Sequence, residues 1–223
     1  MITIHEVYND RKNEIEFYFS VMLEVEDDSK NTINTIDNQR FFRIMKSNFL
    51  LMLYNLVEAT FTTGMMELYD QVASEGCSYN SVIDELQEIW RNSKVKEVYK
   101  ASSGLTTYTN RVKAIVEDIT QNTPLILRKG MLGVNGNLNA KLIKEICDNH
   151  RIRYRVSDDK YALEKVKQKR NALAHGDESF SRCARDFTMS DLETIKDAVL
   201  LFMDEIIQGI EKYCTEKQYM RSI

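Results

Sequence analysis

Arg170-Asn171-Ala172-Leu173-Ala174-His175-Gly176 gathers a guanidinium, an amide and an imidazole into one short stretch. An imidazole can take or give a proton, and a guanidinium can offset negative charge that develops on a phosphate. Leu163, Val166, Arg170 and Leu173 fall on one helical stripe, so Arg170 stands where an aliphatic side chain would be ordinary. A guanidinium there must find partners or line a cleft. Asn171 and His175 are four residues apart and share a neighbouring face of the same helix. Gly176 supplies a helix stop that puts His175 at the carboxyl end. A plainer role fits the same residues: Arg170 pairs with a buried acid such as Glu58, and His175 merely caps a helix.

Glu58 lies between Leu51, Phe61 and Met65 on a strongly apolar segment, so it is either that buried acid or an edge acid. Lys165, Lys167 and Lys169 precede the motif and Arg182 and Arg185 follow it; they either guide a polyanion to it or form solvated surface. From Arg151 to Arg170 there are eight Lys or Arg against three acids, a local balance of +5 in a chain of net charge -4. Basic character is thus concentrated just before the motif, and bulk coating of nucleic acid is disfavoured. His5 and His150 have no companions at metal-ligand spacing, and the four cysteines, 77, 147, 183 and 214, show no C-x-x-C pattern. They read as reduced thiols. The segment Gly130 to Gly136 lacks the strand-loop-helix context and Lys-Ser/Thr ending of a phosphate loop and reads as a turn.

The elements that must position these groups read as helices. One proline and eight glycines in 223 residues are too few for the hairpin turns of an all-β chain. Apolar spacing predicts helices over about 4–26 and 39–73, the latter through Phe42, Met45, Phe49, Met52, Leu56, Ala59 and Met66. Shorter helices are expected over 80–90, 95–100, 106–120 and 137–150, with loops at 27–38 and after Pro124, and a strand or connector at 152–159. Residues 160–175 read as the motif helix, 176–187 as a loop, and 188–219 as a long closing helix started by a Ser190/Glu193 capping box. The expected core includes Phe49, Met52, Leu56, Leu163, Leu173, Ile195, Val199 and Phe202. One domain over 1–223 is expected, with 77–155 as a possible insertion. The start of the chain shows no export signal and the most apolar run, 49–61, is short for a bilayer, so a cytoplasmic protein without a membrane span is expected.

The order Arg, Asn, three residues, His at the end of a late helix resembles the motif of the HEPN superfamily, in which Arg and His are separated by four to six residues. The text Lys-Gln-Lys-Arg-Asn-Ala-Leu-Ala-His-Gly-Asp-Glu-Ser-Phe and the early segment Met52 to Thr60 are similar to a bacterial defence-associated, MAE-type subgroup. The resemblance is strongest over roughly residues 40–70 and 160–215. It implies an all-α, up-and-down helical bundle with a mainly helical insertion. It also implies a metal-independent endoribonuclease, working without cofactor as a toxin or antiphage effector. Active members are usually homodimers whose two motifs face one groove, so Arg170 and His175 would be catalytic, Asn171 would orient the His or the phosphate, and cleavage would leave a 2',3'-cyclic phosphate. RNA, a second copy and an antitoxin or defence protein are the implied partners. The alternative is a non-catalytic HEPN scaffold that binds RNA or protein.

Overall fold

The computed structural model describes residues 3–29, 38–100, 104–134, 136–155 and 160–221. Among these, eight α-helices occur and no strand: α1 (Ile4–Ser29), α2 (Asn38–Ser74), α3 (Asp84–Lys100), α4 (Leu105–Thr120), α5 (Ala140–His150), α6 (Lys160–His175), α7 (Phe180–Cys183) and α8 (Met189–Thr215). The expected all-α class holds. The chain divides into two compact units. The first comprises 1–63, 136–142 and 155–207, and the second comprises 64–135, 143–154 and 208–223.

In the first unit, Ile15, Phe19 and Met22 of α1, Phe49, Leu53 and Leu56 of α2, Leu163 and Val166 of α6, and Ile195, Val199 and Phe202 of α8 are buried. Helices with such stripes exclude water only by packing on one another. The Phe19 and Phe49 rings meet at 5.4 Å, and the Tyr8 hydroxyl donates to the Leu200 carbonyl at 3.3 Å. Met52 and Leu173, expected in the core, are only half-buried. On α2 the reason is that neighbouring residues Leu50, Leu53, Tyr54, Val57 and Thr60 are buried too, so no single narrow stripe decides the inward face. By length and composition α2 could cross a membrane, and 56% of its most apolar window is buried within the protein. A helix that is apolar all round is what a core position also demands.

In the second unit, Met65, Leu68, Tyr69 and Val72 of α2 share the interior with Leu86 and Trp90 of α3, Ile143, Ile146 and Cys147 of α5, and Ile210 and Tyr213 of α8. His150 is buried there as well. Its two ring nitrogens are occupied by the Tyr69 hydroxyl at 2.7 Å and the Ile146 carbonyl at 2.6 Å. Burial pulls its pKa down to about 4. The chain end is tied in by Ile83 N–H donating to the Tyr219 carbonyl and Arg221 N–H to that of Ser81.

Several boundaries differ from the expectations. Segments 80–90 and 95–100 belong to one helix, α3, which runs through Asn92-Ser93; each costs well under about 1 kcal/mol inside a helix, less than the burial of Trp90 and Val98 on either side returns. α1 continues through 27–29, while 30–37, 101–103 and 156–159 lie outside the described residues. The loop after the motif contains the short helix α7. α8 is capped by Thr188 and Asp191 rather than Ser190 and Glu193. Thr188 N–H and Oγ1–H donate to the Asp191 carboxylate at 2.8 and 2.7 Å, and Asp191 N–H donates back to Thr188 Oγ1 at 3.1 Å.

Candidate functional site

Helix α6 is amphipathic, and that fixes where the motif side chains go. Ala162, Leu163 and Val166 are buried, whereas Tyr161, Gln168 and His175 are exposed. Arg170 lies four residues after Val166 and therefore on the inward side of the last turns, where it is half-buried. Its guanidinium sits over the Tyr54 ring, 4.8 Å from the centroid, and donates from Nη1 to Asn171 Oδ1 at 2.9 Å. Asn171 in turn donates from Nδ2 to Asn137 Oδ1 at 3.0 Å. Gly136, at φ +69°, brings the backbone past the same guanidinium: a Cβ there would lie 3.4 Å from Arg170 Nη2. Glycine adopts that left-handed conformation at little cost.

Glu58 reaches Tyr54 rather than Arg170. Burial pushes the Tyr54 hydroxyl above its ordinary pKa, the Leu138 N–H donating to it at 3.1 Å opposes that, and the negative charge of Glu58 adds to it. Among the described residues no ion pair within 4 Å involves Arg170. Among those residues its partners are the Tyr54 ring and the Asn171 amide. The sequence gives no sign that Tyr54 and Asn137 belong to this site, and it marks Gly136 only as the end of a turn. Tyr54 stands one turn before Glu58 on α2, a spacing that could have pointed to it.

His175 is exposed at the carboxyl end of α6, and Gly176 follows at φ +76° with its N–H donating to the Leu173 carbonyl at 3.3 Å. Four residues separate Arg170 from His175, and the five helical steps between them turn the two side chains about 140° apart around the axis. One chain therefore does not bring the guanidinium and the imidazole to the same flank of α6.

The basic residues around the motif divide. Lys169 pairs with Glu178 at 3.2 Å and, with Arg182 and Arg185, lines an open cleft of about 740 Å³ that also takes in Gly176 and Asp186. Arg185 is engaged by Asp186 at 3.1 Å. Lys167 leans on Glu164 at 3.8 Å, and Lys165 lies over the Tyr161 and Phe187 rings at 4.3 and 5.4 Å. Neither of these two lines that cleft. Arg151 and Arg153, from the same basic run, belong to the second unit. Among the described residues no group of three or more His, Cys, Asp or Glu side chains comes together.

No curated protein and no solved structure matches the chain. The model of one family, described as MAE_28990-like HEPN, matches residues 3–219 and so takes in α1, α2, the motif helix and α8. HEPN domains act broadly as nucleases or RNA-binding modules and commonly bind RNA and dimerise. All-helical, and matched over nearly its whole length, the chain belongs to the MAE_28990-like HEPN family.

Proposed function

We propose that this protein is a metal-independent endoribonuclease that works as a homodimer in the cytoplasm, as a toxin or antiphage effector, through Arg170 and His175. One observation carries the reading: Arg170 is held at the end of α6 by an aromatic face and an amide oxygen, with no carboxylate among the described residues pairing with it within 4 Å. A structural arginine at a half-buried position ordinarily takes a carboxylate partner, because an uncompensated charge there is costly. A guanidinium kept free by neutral neighbours is suited to a phosphate.

In the proposed reaction the neutral His175 imidazole takes the proton of an RNA 2'-hydroxyl. That oxygen attacks the adjacent phosphorus, the bond to the 5'-oxygen breaks, and the departing oxygen is protonated by an imidazolium. The products are a 2',3'-cyclic phosphate and a 5'-hydroxyl. Arg170 offsets the charge of the pentacoordinate phosphorus, and Asn171 positions Arg170 through its 2.9 Å contact. Glu58 supports the site through Tyr54. Because the two motif side chains diverge on one helix, a second copy supplies the complementary guanidinium or imidazole. Lys165, Lys167, Lys169, Arg182 and Arg185 contribute to the RNA path, with Lys169, Arg182 and Arg185 sharing one cleft.

Incubating the purified protein with total RNA in chelator, beside His175→Ala, tests this. Cleavage lost in the variant and cyclic phosphate ends in the wild type are expected. RNA bound but left intact would favour a non-catalytic scaffold, a reading with one point in its favour: Asn171 is already engaged by Asn137.

A further inference from the structure

The basic run that precedes the motif in sequence does not stay together. Arg151 and Arg153 stand in the second unit, at the rim of a cleft of about 700 Å³ that also includes Glu85, Glu216, Lys217 and Arg221. Arg221 is neutralised by Asp84 at 2.9 Å and Lys217 by Glu75 at 3.1 Å. Among the described residues neither Arg151 nor Arg153 has an ion-pair partner within 4 Å, and both are exposed.

The backbone holds these two side chains in a defined relation. Arg151 ends α5 in the left-handed conformation, φ +62°, with its N–H donating to the Asp148 carbonyl at 3.0 Å and that of Ile152 to Cys147 at 2.8 Å. Glycine or asparagine is the usual residue at such a helix end, and an arginine there is disfavoured. Ile152 follows and is buried, so Arg151 and Arg153 flank an anchored residue, and both line the same cleft. Gly209 of α8 fixes that segment, since a Cβ there would come within 2.8 Å of Tyr154 Cβ and 2.9 Å of the Arg153 carbonyl. Among the described residues the hydroxyl of the fully buried Tyr213 has no hydrogen-bond partner, and the charges of Glu85 and Arg151 both act on it.

We propose that this cleft is a second anion site, in which Arg151 and Arg153 together clasp a phosphate group of a nucleotide or of an RNA backbone. Two planar guanidiniums lining one cleft, on either side of a buried residue, match the several acceptor oxygens of a phosphate. The site is separate in residues from Arg170 and His175 and does not depend on their activity.

Binding of inorganic pyrophosphate and of a 2'-O-methyl RNA 12-mer, which cannot be cleaved, should be measured by calorimetry at constant ionic strength set with chloride. Wild type should be compared with Arg151→Gly/Arg153→Gln. Glycine adopts the left-handed conformation freely, so the variant should melt no lower than the wild type and folding loss will not mimic loss of binding. Saturable pyrophosphate binding that weakens at least tenfold in the variant supports the site with a free phosphate or nucleotide as ligand. The same loss for the 12-mer assigns the site to the RNA backbone. Affinities for both probes that are equal in wild type and variant, or absent in both, overturn the proposal. RNA cleavage by the wild type is scored separately, so either assignment can fail alone.

Discussion

Arg170 shows how a side chain's partners separate a structural role from a chemical one. Had it neutralised Glu58, removing it would strand a charge and cost roughly 3 to 5 kcal/mol. With Tyr54 and Asn171 as its partners, the loss is one cation-ring contact and one hydrogen bond, about 1 kcal/mol each at most. Arg170→Ala is therefore expected to lower the melting temperature by only a few degrees in calorimetry while abolishing RNA cleavage. His175→Ala, at an exposed helix end, should leave melting unchanged and cut the cleavage rate by about 100- to 10,000-fold. Cleavage persisting within a few-fold in folded His175→Ala would remove the catalytic assignment.

Among the elements, the start of α8 makes the sharpest comparison with the sequence. Both Ser190/Glu193 and Thr188/Asp191 satisfy the spacing of a capping box, and only the second pair makes the reciprocal bonds. The reason lies in α2: Lys46, buried at 6% exposure, donates from Nζ to the Arg185 carbonyl at 3.1 Å and the Phe187 carbonyl at 2.6 Å. Those carbonyls are held by a side chain from another helix, and the first free helical turn begins after them. Thr188→Ala should destabilise by about 1 kcal/mol, which for a chain of this size is roughly 2 to 4 °C in melting temperature. Ser190→Ala should change melting by less than half as much, and the opposite ranking in a thermal melt would return the cap to Ser190.

Two expectations concern the molecule as a whole. The divergence of Arg170 and His175 around α6 makes a second copy necessary to complete the proposed site, so multi-angle light scattering should report a dimer at micromolar concentration. A monomer throughout that range, in protein that still cleaves RNA, would contradict the shared site. The second expectation is a pH dependence of stability. His150 titrates near 6.5 when unfolded and near 4 when folded, because burial disfavours its cation. The unfolded state then binds the extra proton first, and this contribution is fully present above pH 6.5 and lost as pH falls from 6.5 to 4. The total is on the order of 3 kcal/mol. Comparing chemical denaturation of wild type and His150→Gln across that window isolates the effect from that of the carboxylates. Equal slopes for the two proteins would mean that His150 is not buried as a neutral ring.

The sequence by itself determined the helical class and the limits of α6, because apolar spacing, a glycine stop and the scarcity of proline are local signals that tertiary packing reinforces here. It also singled out Arg170, as a charge on an apolar stripe. It did not determine what Arg170 touches: Tyr54 stands more than a hundred residues away, and Gly136 and Asn137 come from a loop that carries no periodic signal. Nor did it reveal that +5 of charge read as one basic run would be divided, with Arg151 and Arg153 in one unit and the α6 lysines in the other. Charge is counted along the chain, whereas the potential that a ligand meets depends on which residues the fold brings side by side. That pairing was decided by buried anchors such as Ile152 and by the close approach that Gly209 permits.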